Sequence, residues 1–422
     1  MIDLDNLEIY QRYDPSGMLV HLHGLPQQCR QAWEKASKFA LPTDFKDVNK
    51  MVICGMGGSA IGGDLLRSLT SELNKPLVFV HRGYDLPAFV DSKTLVIASS
   101  YSGNTEETLS AFKQALTTKC KKLAITTGGK LKNLAQENGV PVFTIDYVSQ
   151  PRAALGYSFI PLVALLAKLG FLEDKSADPT LSLRVLRFLP FRGSPSLAVI
   201  LSVAKNLIQL RVDSATEESP LHFVQSFGSP GQAPRSNLTA RALPALIEGM
   251  AQTLEGLLDK LAENIPTPLN PAKQLAIKLF GKLIVIYSAG ILSPVAQRWK
   301  GQFNENSKAW AFYETFPELN HNTVVGYEFP KEMADKLYVI LLRCPSLHPR
   351  IPARYQITCE ILQKAGVKHE IFDSQGENEL TQMMSLLFLG DWTSYYLAML
   401  NQTDPMPVKM IDYLKKRLNS IE

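Results

Sequence analysis

The chain has 422 residues, 45% hydrophobic and 20% charged, which suits two or three globular domains and excludes a disordered, collagenous or coiled-coil protein. Lys and Arg total 44 against 40 Asp and Glu, a net charge of +4 too balanced to argue for nucleic acid. The five cysteines (Cys29, Cys54, Cys120, Cys344, Cys359) form no CxxC pair, the N-terminus is acidic, and no apolar run nears the roughly 20 residues of a membrane span. No disulfide framework, zinc cage, secretory signal or membrane contact is therefore expected, and the protein is expected in the cytoplasm.

From residue 51 to 145, short apolar runs alternate with helical patterns. The first predicted strand, Met51-Val52-Ile53-Cys54, runs directly into Gly55-Met56-Gly57-Gly58-Ser59-Ala60-Ile61-Gly62-Gly63. Glycines at a strand-to-helix turn let backbone N–H groups approach an anion, and the helix N-terminus adds its dipole. Gly55-x-Gly57-x-x-Ala60 also satisfies a dinucleotide fingerprint, so this loop alone is ambiguous.

Strands are predicted next at Leu77–Val80 and Thr94–Ala98, then at Lys122–Ile125 and Pro141–Phe143. None alternates with period 2, as expected of strands covered on both faces by helices. Strand followed by crossover, repeated four times, predicts an α/β fold with a doubly wound parallel sheet. The second strand ends at Val80-His81-Arg82, where an NAD enzyme would carry an acidic residue. Arg82 suits only NADP, so a dehydrogenase is a weak rival reading.

The loop after the third strand, Ser99-Ser100-Tyr101-Ser102-Gly103-Asn104-Thr105-Glu106-Glu107-Thr108, breaks the tie. Ser100, Ser102 and Thr105 place three hydroxyls around one tight turn at the mouth of a helix. Hydroxyls and helix N–H groups can together bind a phosphate without a metal. An ordinary N-cap accounts for one such hydroxyl but not three.

Residues 181–241 fit neither this module nor the one that follows. Ser/Pro/Gly clusters such as Gly193-Ser194-Pro195-Ser196 mark loop or linker. The stretch reads as a partly disordered insertion that carries no chemistry. Beyond it, Leu254, Leu257, Leu258 and Leu261 mark an amphipathic helix. A second strand series follows at Lys282–Tyr287, Leu337–Leu342 and Glu370–Phe372. The expected domains are thus 1–180, the insertion 181–241, and 242–422.

The glycine loop and the serine loop together resemble the sugar isomerase (SIS) domain. The closer resemblance is to the bifunctional phosphoglucose/phosphomannose isomerase family. Arg298-Trp299-Lys300-Gly301-Gln302-Phe303-Asn304-Glu305-Asn306-Ser307-Lys308, Pro317-Glu318-Leu319-Asn320-His321-Asn322 and the C-terminal Ile411–Leu418 also fit. The resemblance implies two SIS modules and interconversion of glucose 6-phosphate and mannose 6-phosphate with fructose 6-phosphate. It does not extend over 181–241.

The resemblance also implies the site. Glu305 is the base that shuttles a proton between C1 and C2, with Glu106, Glu107, Glu314 and Glu318 as competing carboxylates. Arg152, in Gln150-Pro151-Arg152, stabilises the enediolate oxygen. His321, supplied by the neighbouring subunit of a homodimer, opens the sugar ring with Lys415, whose neighbour Lys416 is an alternative. The backbone N–H groups of Gly57, Gly58 and Ser59, with Ser100, Ser102 and Thr105, hold the phosphate of the sugar 6-phosphate. Neither metal nor other cofactor is expected, since the histidines are few and no His/carboxylate cluster has metal-binding helical spacing. The rival from another class is a non-catalytic sugar-phosphate sensor, but every catalytic role has a candidate here and no helix-turn-helix is recognisable.

Long surface insertions cost little loop-closure entropy. Limited proteolysis is therefore expected to nick first between Ser194 and Arg241 while activity survives. Activity lost in step with that cleavage would show that the segment is needed.

Overall fold

A computed structural model describes residues 2–71, 73, 76–172, 239–418 and 420–421. The expected insertion falls, up to residue 238, outside the described residues. The described residues belong to a single compact unit.

Two helices, α1 (Glu8–Tyr13) and α2 (Met18–Lys38), precede the first module. That module runs β1 (Lys50–Cys54), α3 (Gly57–Leu69), β2 (Leu77–His81), β3 (Thr94–Ser99), α4 (Glu106–Leu116), β4 (Lys121–Thr126), α5 (Gly129–Glu137), β5 (Val142–Thr144) and α6 (Leu155–Lys168). Its strands are all parallel in the order β2-β1-β3-β4-β5. Every residue of β3 is buried, which explains why its sequence is a continuous apolar run rather than an alternating one.

The second module opens with α7 (Leu243–Leu261) and α8 (Pro271–Leu279), where Asn270 caps α8 by accepting the N–H groups of Ala272 and Lys273. It continues through β6 (Leu283–Ala289), α9 (Ser293–Glu305), β7 (Ala311–Phe316), β8 (Leu337–Arg343), α10 (Ile351–Lys364), β9 (Lys368–Asp373), α11 (Glu379–Leu400) and α12 (Lys409–Leu418). Its parallel sheet has the order β7-β6-β8-β9, the same order as the first four strands of the other sheet. Two related parallel-sheet modules, as the sequence suggests, are what the chain forms.

One strand of the second sheet departs from the expected series. β7 lies at the sheet edge with Phe312, Tyr313 and Glu314 exposed, so it has no continuous buried run to betray it. At the other extreme, α11 is apolar nearly all round and buried along almost its whole length, the signature of a helix inside the protein rather than on its surface. It packs against α7, α8 and α9, while α2 packs against α6 and α7. Arg30 on α2 forks between Glu248 and Glu255 on α7. Among the described residues, no helix is long and apolar enough to cross a membrane.

The helix α3 that follows the glycine loop is seated by close contact with α6. A Cβ added to Gly62 would lie 2.2 Å from the Ser158 carbonyl oxygen and 2.7 Å from its carbon. Both are backbone atoms, so neither can rotate away. Gly62→Ala is expected to force the helices apart and lower stability by about 1–3 kcal/mol, read by urea or thermal unfolding. An unchanged midpoint would contradict this contact.

Candidate functional site

In the first sheet the strand order reverses direction between β1 and β3, and open α/β sheets bind ligands at the carboxyl ends of strands at that point. Both sequence-predicted loops emerge there. After β1, Gly57 adopts a positive φ of 48°, a conformation that favours glycine. Ser59 and Ala60 donate their N–H groups to the Met56 carbonyl. Gly57 and Gly58 precede those first intrahelical bonds, so their N–H groups form the open end of α3. The Ser59 N–H is thus committed to the turn, and what Ser59 offers is its hydroxyl. That oxygen accepts the Tyr101 N–H at 3.0 Å, which leaves its own proton to donate.

The loop after β3 is knitted to the first. Ser99 Oγ donates to the Ser59 carbonyl at 3.0 Å. Thr105 stands at the N-cap of α4 but makes no capping bond. Its hydroxyl instead pairs with that of buried Ser100 at 2.8 Å. One donates to the other, so one proton of the pair points elsewhere. Ser102 is exposed, and its Oγ accepts the Asn104 N–H at 3.3 Å. A Cβ on Gly103, at φ 69°, would lie 1.8 Å from the Gly128 carbonyl oxygen, so this turn requires glycine.

A third segment, 147–153, carries Arg152 into the site. The Tyr101 hydroxyl donates to the Tyr147 carbonyl and accepts the Ser149 N–H, which ties this segment to the serine loop. A Cβ on Gly58 would lie 2.8 Å from the Arg152 nitrogen and the Pro151 carbonyl carbon. Glycine at 58 therefore lets the Arg152 backbone lie directly on the glycine loop.

Arg152 is 3% exposed and meets the second module. Its Nε donates to Asn306 Oδ1 at 2.7 Å and its Nη1 to Glu305 Oε2 at 3.3 Å. Nη2 donates to the carbonyls of Pro405 and Met406 at 2.7 and 2.8 Å. A guanidinium has five N–H donors; four are engaged here, and one on Nη1 stays available. Burial lowers the basicity of this group, while Glu305 opposes that effect.

Glu305 ends α9, and the backbone beneath it is fixed by a buried polar network. Arg298 donates to Asp391 on α11 at 2.7 Å and to the Arg152 carbonyl at 2.9 Å. Gln302 also donates to Asp391, at 2.8 Å. Burial raises the Asp391 carboxyl above its ordinary value and Arg298 opposes this. Asn306 and Ser307 bond to Ser394 at 3.0 and 2.6 Å. Lys308, at a left-handed φ of 55°, turns its ammonium back onto the Glu305 carbonyl. Arg298, Gln302, Asn306, Ser307 and Lys308 all lie in the stretch that carries the resemblance, but the partners Asp391 and Ser394 lie far along the chain, and nothing in the sequence ties them to it.

A cleft of about 230 Å³ results, lined by Gly57, Gly58, Arg82, Arg152, Lys300 and Glu305 among others. Four of the sequence-predicted residues thus face one space. Arg82 is already paired with the buried Asp64. His321 and Lys415 do not join this cleft. His321 is exposed on the turn Glu318–His321, and its ring makes no hydrogen bond among the described residues. Lys415 lies on α12, which has no buried residue and exposes Met410, Tyr413 and Leu414. Among the described residues no group of three His, Cys, Asp or Glu side chains is arranged to hold a metal.

Comparison with known proteins agrees with this fold. Residues 44–155 match the SIS domain model, and residues 269–418 match the bacterial phospho-glucose isomerase C-terminal SIS domain. The bifunctional phosphoglucose/phosphomannose isomerase of Caldicellulosiruptor bescii is 39% identical over 408 residues, covering 96% of this chain and 100% of that one. Its counterpart from Aquifex aeolicus is 31% identical over 388 residues, covering 92% and 94%. A glucose-6-phosphate isomerase like protein from Thermus thermophilus shares the fold, with a TM-score of 0.56 at 16% identity over 97% of this chain and 100% of that one.

Proposed function

The chain belongs to the bifunctional phosphoglucose/phosphomannose isomerase family, and we propose on that premise that it interconverts glucose 6-phosphate and mannose 6-phosphate with fructose 6-phosphate. The observation that carries the reading is the Arg152–Glu305 pair, 3.3 Å apart, on a cleft shared with the open glycine turn Gly57-Gly58. A base beside a fixed cation, next to an anion-binding helix end, is the equipment that proton transfer along a phosphorylated sugar requires.

In this mechanism the phosphate is held by the N–H groups of Gly57 and Gly58 and by the hydroxyls of Ser59, Ser100, Ser102 and Thr105. His321 protonates the ring oxygen while Lys415 assists ring opening. Glu305 removes the C2 proton of the open aldose, and the electron pair moves through C1 onto the carbonyl oxygen. Arg152 stabilises the resulting cis-enediolate with its remaining Nη1 proton. A proton passes from the C2 hydroxyl to O1, and Glu305 returns its proton to C1 as the electron pair on O2 forms the C2 carbonyl, giving the ketose.

His321 and Lys415 act in a homodimer, His321 reaching the cleft of the partner. The exposure of His321 and the uncovered apolar side of α12 support this reading. Lys415 is favoured over Lys416 because Ile411 and Leu418, at i−4 and i+3, put it on that apolar side. The enzyme acts in the cytoplasm.

Fructose 6-phosphate should form in a chelator-treated sample from glucose 6-phosphate and, separately, from mannose 6-phosphate. Turnover of neither, with binding intact, would turn the reading to a binding protein. Glu305→Gln should reduce turnover at least about a hundredfold while sugar-phosphate binding persists; near-normal turnover would sink the assignment. Mixing Glu305→Gln with His321→Ala, each inactive alone, should restore about a quarter of the wild-type rate, because each mixed dimer holds one intact site. No recovery would exclude a shared site.

A further inference from the structure

Lys308 is left without a part in this chemistry, yet its setting is unusual. It sits at φ 55°, where glycine or asparagine ordinarily ends a helix. A lysine there carries backbone strain that persists only where the surroundings enforce it. The left-handed turn sends the chain back so that the Ala309 N–H reaches the Phe303 carbonyl at 3.1 Å. It also returns the ammonium to the helix it has just left.

Three carbonyls receive that ammonium. Nζ donates to Glu305 O at 2.5 Å and to Pro405 O at 3.1 Å, with Asn306 O at 3.5 Å. The Pro405 carbonyl is the one that also accepts from Arg152 Nη2. One carbonyl oxygen is therefore shared by Lys308 and Arg152, and the same Lys308 grips the backbone of the residue that faces Arg152. The cation also lies at the negative end of α9, where the helix dipole opposes a carboxylate such as Glu305.

We propose that Lys308 is a positioning residue for the isomerisation, fixing Glu305 and Arg152 relative to each other through the carbonyls of Glu305 and Pro405. The inference rests on the isomerase reading of this site. Proton shuttling between adjacent carbons demands that one carboxylate oxygen reach both, so small displacements of base against oxyanion partner are costly. Lys308 itself is absent from the cleft lining and acts through these two groups.

The ammonium faces Glu305 and Asn306 from the end of α9, Arg152 from the turn Pro151–Ala153, and Asp404 and Pro405 from the segment before α12. Burial, then the Arg152 charge, pulls it down to about 8, with Asp404 and Glu305 opposing. Its proton is lost as pH rises through that value, and the clamp weakens with it, since the neutral amine keeps two N–H donors but no charge.

Two variants decide the matter, measured as fructose 6-phosphate isomerisation across pH beside thermal unfolding. Lys308→Gly removes the ammonium while relieving the backbone. Its kcat should fall about tenfold or more with KM changed less than about threefold, and its unfolding temperature should hold or rise. Lys308→Arg keeps a cation that does not titrate, so it should retain most of the rate and lose the alkaline decline near pH 8. Wild-type kcat in Lys308→Gly, or an unmoved alkaline limb in Lys308→Arg, would overturn the proposal. An inactive wild type would instead sink the isomerase reading itself.

Discussion

A guanidinium carries its charge at any ordinary pH, and a buried one must find partners for its donors. Arg152 imposes that demand at the junction of the two modules. Its solution recruits a side-chain amide and a carboxylate from the end of α9 and two carbonyls from the segment before α12. The rest of the site is built around holding those partners still. Arg298 clamps the Arg152 carbonyl and is itself neutralised by Asp391, so one buried cation is braced by another with its own counter-charge. An ion pair buried in this way is weak evidence for stability. Its value here is geometric, because it fixes where α9 ends.

The two sheets repeat one topology but divide the labour. In the first, the carboxyl ends of β1 and β3 carry the glycine and serine loops, and their glycines allow backbone to touch backbone. In the second, α9 follows the equivalent central strand and brings the carboxylate, while its buried face carries Arg298 and Gln302. α3 and α9 are in contact, and residues of both line the cleft. The cleft is the gap that remains.

Strands buried on both faces were legible, since nothing but packing governs their composition. The edge strand β2 was legible too, because Leu77–Val80 is apolar throughout although Leu77 and Phe79 are exposed, whereas in β7 Glu314 and Thr315 interrupt the apolar residues. The loops were legible for a different reason: glycines and hydroxyls at a strand–helix junction have few other uses. Glu305 was not distinguishable by its neighbours from Glu106, Glu107, Glu314 or Glu318 and needed the family resemblance. The structure pairs Glu305 with Arg152 inside the cleft. Glu314 is exposed on the edge strand, and Glu318 accepts a bond from Asn322. What sequence hides is the long-range pairing, as between Asn306 and Ser394 or Arg298 and Asp391, where each residue alone looks like an ordinary polar surface group.

The spacing of those Arg152 contacts has a consequence for biosynthesis. Residues 50–144 supply a complete sheet before the second module is made, and domains made first on the ribosome generally fold first. Arg152, however, lies 154 residues ahead of Asn306 and 253 ahead of Pro405. While the chain is still emerging, the nascent first module holds a cation whose permanent partners do not yet exist. Water must solvate that arginine until residues 405 and 406 are made, so the loop bearing it can close only after the second sheet and α11 have emerged. The junction of the two modules is in this sense a checkpoint on the second of them, assembled after the first sheet has formed.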